Sequence, residues 1–354
     1  MTIQIGFYSH TIDFAGTWRS HERVAQEIEK DSRFKTYIFY CENIKNDRLE
    51  VCQKILQNTT FVPFKRSLEK TGPQQGYTPI ETNFKDVCLN LGLDVLHFAR
   101  TGYYEWPFND RVSKLQIETN IFGQDDYSKY LDRSIAISKT VSEMKQRAVD
   151  AIISNPIPSP SNQFDKLQDL RSVYGFEKDD IVLGRIGRPA NFHPIALLSF
   201  KEAQKTIPNL KYLIVAGCEQ TKRFVEENQI KGVVFAPETN DDVWIEKFHK
   251  TINIFAHYRS DGETHGTAIA QALMYDIPVV SHYAVFNAQV ETIGPGGLCA
   301  KTTQEYTDTL KQLAIMPESK RRSIGIKGHI HTEKRSGQEK IGKLLAEKYI
   351  EWLK

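Results

Sequence analysis

Short apolar runs alternate with amphipathic stretches along nearly the whole chain. Ile3 to Tyr8 (IQIGFY), Tyr37 to Tyr40, Asp94 to Phe98 (DVLHF) and Ser113 to Gly123 read as strands in the first half. Asp180 to Ile186 (DIVLGRI), Leu210 to Ala216 (LKYLIVA), Val233 to Pro237 and Ile252 to Ala256 repeat the pattern in the second. Runs this continuous fit strands covered on both faces. Between them lie helical patterns: HERVAQEIEK after a polar loop from Ser9 to Ser20, Asp47 to Gln57, a helix N-capped by Ser138, a helix closing at Leu170 to Gly175, Leu198 to Ala203 and Asp241 to Lys250. Regular strand and helix alternation predicts parallel sheets. Pro63 to Tyr77 reads as a basic loop carrying Lys65, Arg66 and Lys70, and AIISNPIPSPSNQ interrupts the periodicity with prolines. A chain of 354 residues suits two α/β domains. The expected division is 1–154, a linker at 155–165, a second domain at 166–335 and a final helical segment at 336–354, within an amphipathic stretch from His331 to Lys354.

The most informative stretch is DGETHGTAIAQALMYDIPVV, Asp261 to Val280. It reads as a polar turn, a helix opening near Gly266, and a buried strand after Pro278. A helix opening on Gly266, Thr267 and Ala268 offers unpaired backbone N–H groups and the positive end of its dipole, which suits a phosphate. Glu263 precedes that start and Gln271 follows inside it, among Ala268, Ala270, Ala272 and Leu273. A polar side chain in such company must reach solvent or a partner, and a ligand is one such partner.

Composition narrows the chemistry. A formal charge of +2 supports no general affinity for nucleic acid. Five scattered cysteines lack metal spacing or a paired framework and fit reduced structural thiols in a cytosolic protein. The N-terminus runs straight into a strand without a leader pattern, and no apolar stretch reaches the length of a membrane span; peripheral membrane contact stays open. The loop after the first strand holds Gly16 and Arg19 but no GxGxxG, which disfavours a dinucleotide cofactor. His97 ends a strand before the aromatic segment TGYYEWPFND. With Tyr103, it forms either a platform for a sugar or a cover over the edge of a core.

Glu263, Gly266, Ala272, Leu273, Met274, Pro278 and Val279 together resemble the signature of retaining family 4 glycosyltransferases. That resemblance implies the GT-B fold: two Rossmann-like parallel-sheet domains facing a central cleft, with the C-terminal helix packing back on the first. It implies a nucleotide-sugar donor, UDP- or GDP-linked, a glycan or glycoconjugate acceptor, and neither metal nor further cofactor. Glu263 would contact the donor sugar, the helix start at Gly266, Thr267 and Ala268 would hold the diphosphate, and Gln271 would stand where a ribose-binding Glu is usual. Arg188 takes the place of the family's phosphate-binding Arg, with His193 nearest to its Lys. Gly16 and Arg19 border acceptor and diphosphate. Glu118 falls where many members carry a histidine near the reacting sugar, and either steadies the anomeric charge or bonds nearby backbone. Gln271, His265 and Asp276 depart from the usual Glu, aromatic and Gly. An inverting transferase, an epimerase and a non-catalytic nucleotide-sugar-binding subunit remain alternatives.

Overall fold

The computed structural model describes residues 2–9, 11–14, 16–70, 77–100, 110–125 and 128–354. The chain divides into two compact units, residues 1–157 with 336–354, and residues 158–335.

The first unit contains β1 (Ile3–Tyr8), α1 (Gly16–Ile28), β2 (Phe34–Cys41), α2 (Leu49–Ile55), β3 (Thr60–Phe64), β4 (Arg66–Lys70), β5 (Tyr77–Thr82), α3 (Phe84–Leu91), β6 (Val95–Arg100), β7 (Leu115–Asn120), β8 (Arg133–Ala136), α4 (Lys139–Met144) and β9 (Ala151–Ile152). Seven of these strands form one sheet, ordered β3-β2-β1-β6-β7-β8-β9, and its neighbours pair in parallel. Ile5, Phe7, Val95 and Ile117 pack in one core; Tyr8, Phe39, Leu96 and Phe98 pack in another. Apolar side chains on both faces explain the unbroken runs in β1 and β6. Pro63 lies opposite Tyr40 in the edge strand β3, where a missing N–H costs no internal ladder bond.

Three local expectations change here. The helix α1 already begins at Gly16, so Gly16 and Arg19 belong to it and not to the preceding loop. The expected basic loop from Pro63 instead contains the end of β3 and the start of an antiparallel pair, β4 with β5. Arg66 is buried there and its Nη1 donates to the Tyr8 hydroxyl at 2.5 Å, which removes it from any exposed basic cluster.

The second unit contains β10 (Ile181–Arg185), α5 (Ile195–Gln204), β11 (Leu210–Val215), α6 (Glu219–Glu227), β12 (Val233–Ala236), α7 (Asp242–Thr251), β13 (Ile254–Ala256), β14 (Gly262–Glu263), α8 (Thr267–Met274), β15 (Val279–His282), β16 (Phe286–Asn287), α9 (Ala288–Ile293), β17 (Gly297–Ala300), α10 (Thr303–Ile315) and α11 (Glu318–Ser336). Its main sheet runs β12-β11-β10-β13-β15-β17, again parallel throughout. Leu183, Ile214, Ala256 and Val280 pack on one face, and Val182, Leu213, Phe255 and Val279 on the other. Leu170 to Gly175 forms hydrogen-bonded turns where a helix end was expected. The glycine-rich segment ETIGPGGLCA forms the end of α9 and the edge strand β17.

The last segment is α12 (Gln338–Leu353), which belongs to the first unit. It is separated from α11 by Gly337, where Ile157 forms a parallel bridge. Ile157 N–H donates to the Ser336 carbonyl at 2.7 Å, and Gln338 N–H donates to the Ile157 carbonyl at 3.0 Å. These bonds take the place of helical ones, so the expected single helix is two. On α12, a Cβ added to Gly342 would stand 2.1 Å from Cβ of Glu27, so glycine permits the close approach to α1.

Candidate functional site

In the second unit the strand order reverses between β10 and β13. Open parallel sheets bind ligands outside the carboxyl ends of strands at such a switch point. Arg185 ends β10, and the segment from His257 to Asp261 follows β13. Most of the residues picked out in the second half of the sequence collect around these two strand ends.

Glu263 is held from three sides. Its Oε1 lies 3.0 Å from His257 Nε2, its Oε2 accepts from Arg259 Nη1 at 3.3 Å, and its N–H donates to Gln289 Oε1 at 3.0 Å. Arg259 also grips both carboxylate oxygens of Asp261, at 2.6 and 2.8 Å. Behind His257, Nδ1 meets the fully buried Ser281 hydroxyl at 2.9 Å. Gly262 makes the preceding turn with φ near 80°, and a Cβ there would lie 1.9 Å from the Phe286 carbonyl oxygen. Only glycine fits this position. The Glu263 side chain keeps 22% exposure, so a carboxylate fixed in direction still meets solvent.

The helix α8 follows from Gly266, which adopts a left-handed conformation and gives no side-chain cap. Five of its eight residues (Ile269, Ala270, Ala272, Leu273, Met274) are buried against the sheet. The three that are not are Thr267, Ala268 and Gln271, which share one helical face. Gln271 is half-buried and makes no side-chain hydrogen bond among the described residues. A polar amide and an uncapped helix start thus share the accessible stripe of an otherwise apolar helix.

Cations gather on the β10 side. Arg188 is exposed, and its side chain makes no hydrogen bond among the described residues. His193 is half-buried; its Nδ1 accepts from the Ile195 N–H at 3.3 Å, and its ring centre lies 5.4 Å from that of Tyr258. That contact engages Nδ1 and leaves Nε2 outside it.

Sequence reasoning passed over Arg185. It is 5% exposed, its Nη2 donates to the Arg188 carbonyl at 3.1 Å, and its guanidinium lies 4.7 Å from the Phe192 ring centre. Its Nη1 is buried without a hydrogen-bond partner among the described residues. Burial pulls its pKa below the ordinary arginine range, while Tyr212, Glu263 and Cys218 act in the opposite direction. A buried arginine that is not fully paired is uncommon. The available signal was a charge closing the apolar run of β10. Gln289 was also missed: its amide bridges Glu263 N–H to the His282 carbonyl, 26 and 7 positions away.

No family model and no curated protein matches the sequence. Solved structures do match. HepE of Anabaena, crystallised with UDP and glucose, is 14% identical over 99% of this chain and 100% of its own, with a TM-score of 0.69. A glycosyltransferase from Rickettsia africae is 12% identical over 100% and 99%, with a TM-score of 0.70. Sucrose-phosphate synthase from Thermosynechococcus elongatus is 13% identical over 99% of both chains, with a TM-score of 0.66. The fold is GT-B.

The first GT-B unit buries two of the expected site residues. Glu118 on β7 is fully buried, and its Oε1 accepts from Lys145 Nζ at 2.7 Å and from the Ser134 hydroxyl at 2.6 Å. The Glu118 side chain is 0% exposed in this ion pair, which turns it away from solvent. His97 is equally enclosed: Nδ1 meets the Tyr349 hydroxyl at 2.6 Å and Nε2 the Thr119 hydroxyl at 2.8 Å. Burial, then His21, holds its pKa well below the usual range. The cavity beside it is about 20 Å³, room for a single water and not for a sugar. Gly16 and Arg19 sit in the first turn of α1, in a different unit from Glu263. Tyr103 lies outside the described residues.

Proposed function

We propose that this protein transfers a sugar from a nucleoside-diphosphate donor, UDP- or GDP-linked, to a glycan or glycoconjugate acceptor with retention of anomeric configuration. One observation carries the reading: the accessible stripe of α8, from its uncapped start to Gln271, begins four residues after a carboxylate fixed in direction at a sheet switch point. The N–H groups at Gly266, Thr267 and Ala268 meet the diphosphate with the positive end of the helix dipole. Arg188 and the buried Arg185 add guanidinium charge, and His193 adds a ring N–H. These groups stabilise the charge that grows on the leaving diphosphate, which requires no metal ion in this scheme. Glu263 accepts from donor-sugar hydroxyls and orients the ring. Gln271 bonds the ribose diol through a neutral amide, weaker by roughly 1 kcal/mol than a charge-assisted bond. Gly16 and Arg19 remain assigned to the acceptor side. The solved HepE with UDP and glucose is in keeping with this donor class.

The test is release of nucleoside diphosphate from a panel of UDP-, GDP- and ADP-sugars, with product stereochemistry read by NMR. Release from one donor, lost in Glu263→Ala and in Arg188→Ala, is the expected result. A protein that neither turns over nor binds any member of the panel overturns the assignment. Binding without turnover selects the non-catalytic subunit.

A further inference from the structure

Glu263 is aimed by a chain of two groups that reaches into the core. His257 follows β13 and is 7% exposed, and Ser281, on β15, is fully buried. The distances run 2.9 Å from Ser281 Oγ to His257 Nδ1 and 3.0 Å from His257 Nε2 to Glu263 Oε1. An ionised carboxylate only accepts hydrogen bonds, so Nε2 carries the proton that faces it. In the neutral ring Nδ1 then accepts, and the Ser281 hydroxyl is the donor that satisfies it. Ser281 thereby selects the tautomer that presents Nε2–H to Oε1 of Glu263. Arg259 takes a weaker hold on the other oxygen at 3.3 Å. Without His257 the carboxylate would turn toward Arg259, which also bonds Asp261.

We propose that His257, backed by Ser281, is a positioning residue that orients Glu263 toward the donor sugar. The proposal rests on the donor-site reading above. Misplacing a reacting group by about 1 Å can cost on the order of 100-fold in rate. His257→Asn preserves the reach to Ser281 but not to Glu263; His257→Gln preserves a donor for Glu263.

The deciding experiment pairs turnover with spectroscopy on the full chain. In donor turnover, His257→Asn is expected to lower kcat roughly 10- to 100-fold with a smaller change in donor KM, and His257→Gln to restore most of it. In a Glu263→Gln background, His257→Asn should cause no further loss, because it acts through that carboxylate. Independently, long-range ¹H–¹⁵N spectra of the imidazoles should show His257 protonated at Nε2, with the signal altered in Ser281→Ala. An unprotonated Nε2, or losses that multiply in the double variant, overturns the proposal. Failure of the unaltered protein to turn over or bind any donor overturns the donor reading instead, and the Nε2 signal still decides the wiring by itself.

Discussion

Replacing Glu118 with Gln separates a carboxylate that holds the fold from one that meets substrate. The Glu118 and Lys145 side chains are 0% and 1% exposed, and their charged atoms lie 2.7 Å apart. At an effective dielectric of about 20, that separation corresponds to an attraction of about 6 kcal/mol. Desolvation offsets part of it when the pair forms, but removing Glu118 leaves Lys145 buried with only Asp125 Oδ1, at 3.9 Å, as a counter-charge; breaking a buried pair costs about 3–5 kcal/mol. In Glu118→Gln the amide oxygen still accepts from Lys145 and Ser134, so the lower end is expected. With a urea m-value of about 2–3 kcal/mol/M, the midpoint of the first unit falls by about 1–1.5 M. The transition is followed by circular dichroism and assigned to this unit by hydrogen exchange at β7. Adding Lys145→Met should recover part of the loss, since it removes a buried charge left with Asp125 alone. Donor turnover per folded molecule should stay near the unaltered level. An unchanged midpoint together with lost turnover would refute this account and return Glu118 to the chemistry.

Three further outcomes are expected. Gly266→Ala places a side chain at φ near 81°; it should cost about 1–3 kcal/mol, and an unchanged melting temperature would contradict the strain. His21 and His97 are buried together, ring centres 4.7 Å apart, and burial lowers the His21 pKa from 6.5 to about 3. Between those values the unfolded chain binds a proton that the folded ring refuses, so stability falls with falling pH by about 1.4 kcal/mol per unit per ring; urea midpoints at pH 7 and 5 check the slope, which should be shallower in His21→Gln. Cys218 is partly exposed at the N-cap of α6, with the Thr221 hydroxyl 3.1 Å from its sulfur and its pKa lowered, while burial raises Cys299 to about 11. Iodoacetamide mapped by mass spectrometry should therefore modify Cys218 before the other cysteines, and equal labelling of Cys299 would count against it.

Local chemistry made the second unit readable. The stretch from Asp261 to Val280 is punctuated by glycine and proline, and α8 buries one apolar face, so the sequence carries both the turn and the accessible stripe. The sheets were legible for the same reason: both faces of β1, β6, β10 and β11 are apolar. Glu118 was not legible, because what decides its role comes from afar. In β7, Gln116, Glu118 and Asn120 alternate with Leu115 and Ile117, a pattern that normally marks one wet face. All three polar residues are instead buried, with Glu118 answered by Lys145 and Ser134, 27 and 16 positions away. Arg185 shows the converse. Its position was plain, but that its Nη1 finds no hydrogen-bond partner among the described residues follows from the packing of Phe192, Tyr212 and Tyr306 near it. The break at Gly337 likewise depends on Ile157, which no local pattern announces.

The same bridge has a consequence for how the gene can be cut. Ile157 and Ser336 are hydrogen-bonded neighbours within one unit, and everything between them forms the other. Topologically, residues 158–335 are a guest inserted into a host, entering and leaving within one residue of that bond. Such an insert can be exchanged without lengthening the host, because its two ends already meet. A chain in which a few glycines join Ile157 to Ser336 is accordingly expected to fold as a free-standing unit around its seven-stranded sheet, and the excised guest to fold around its six-stranded one.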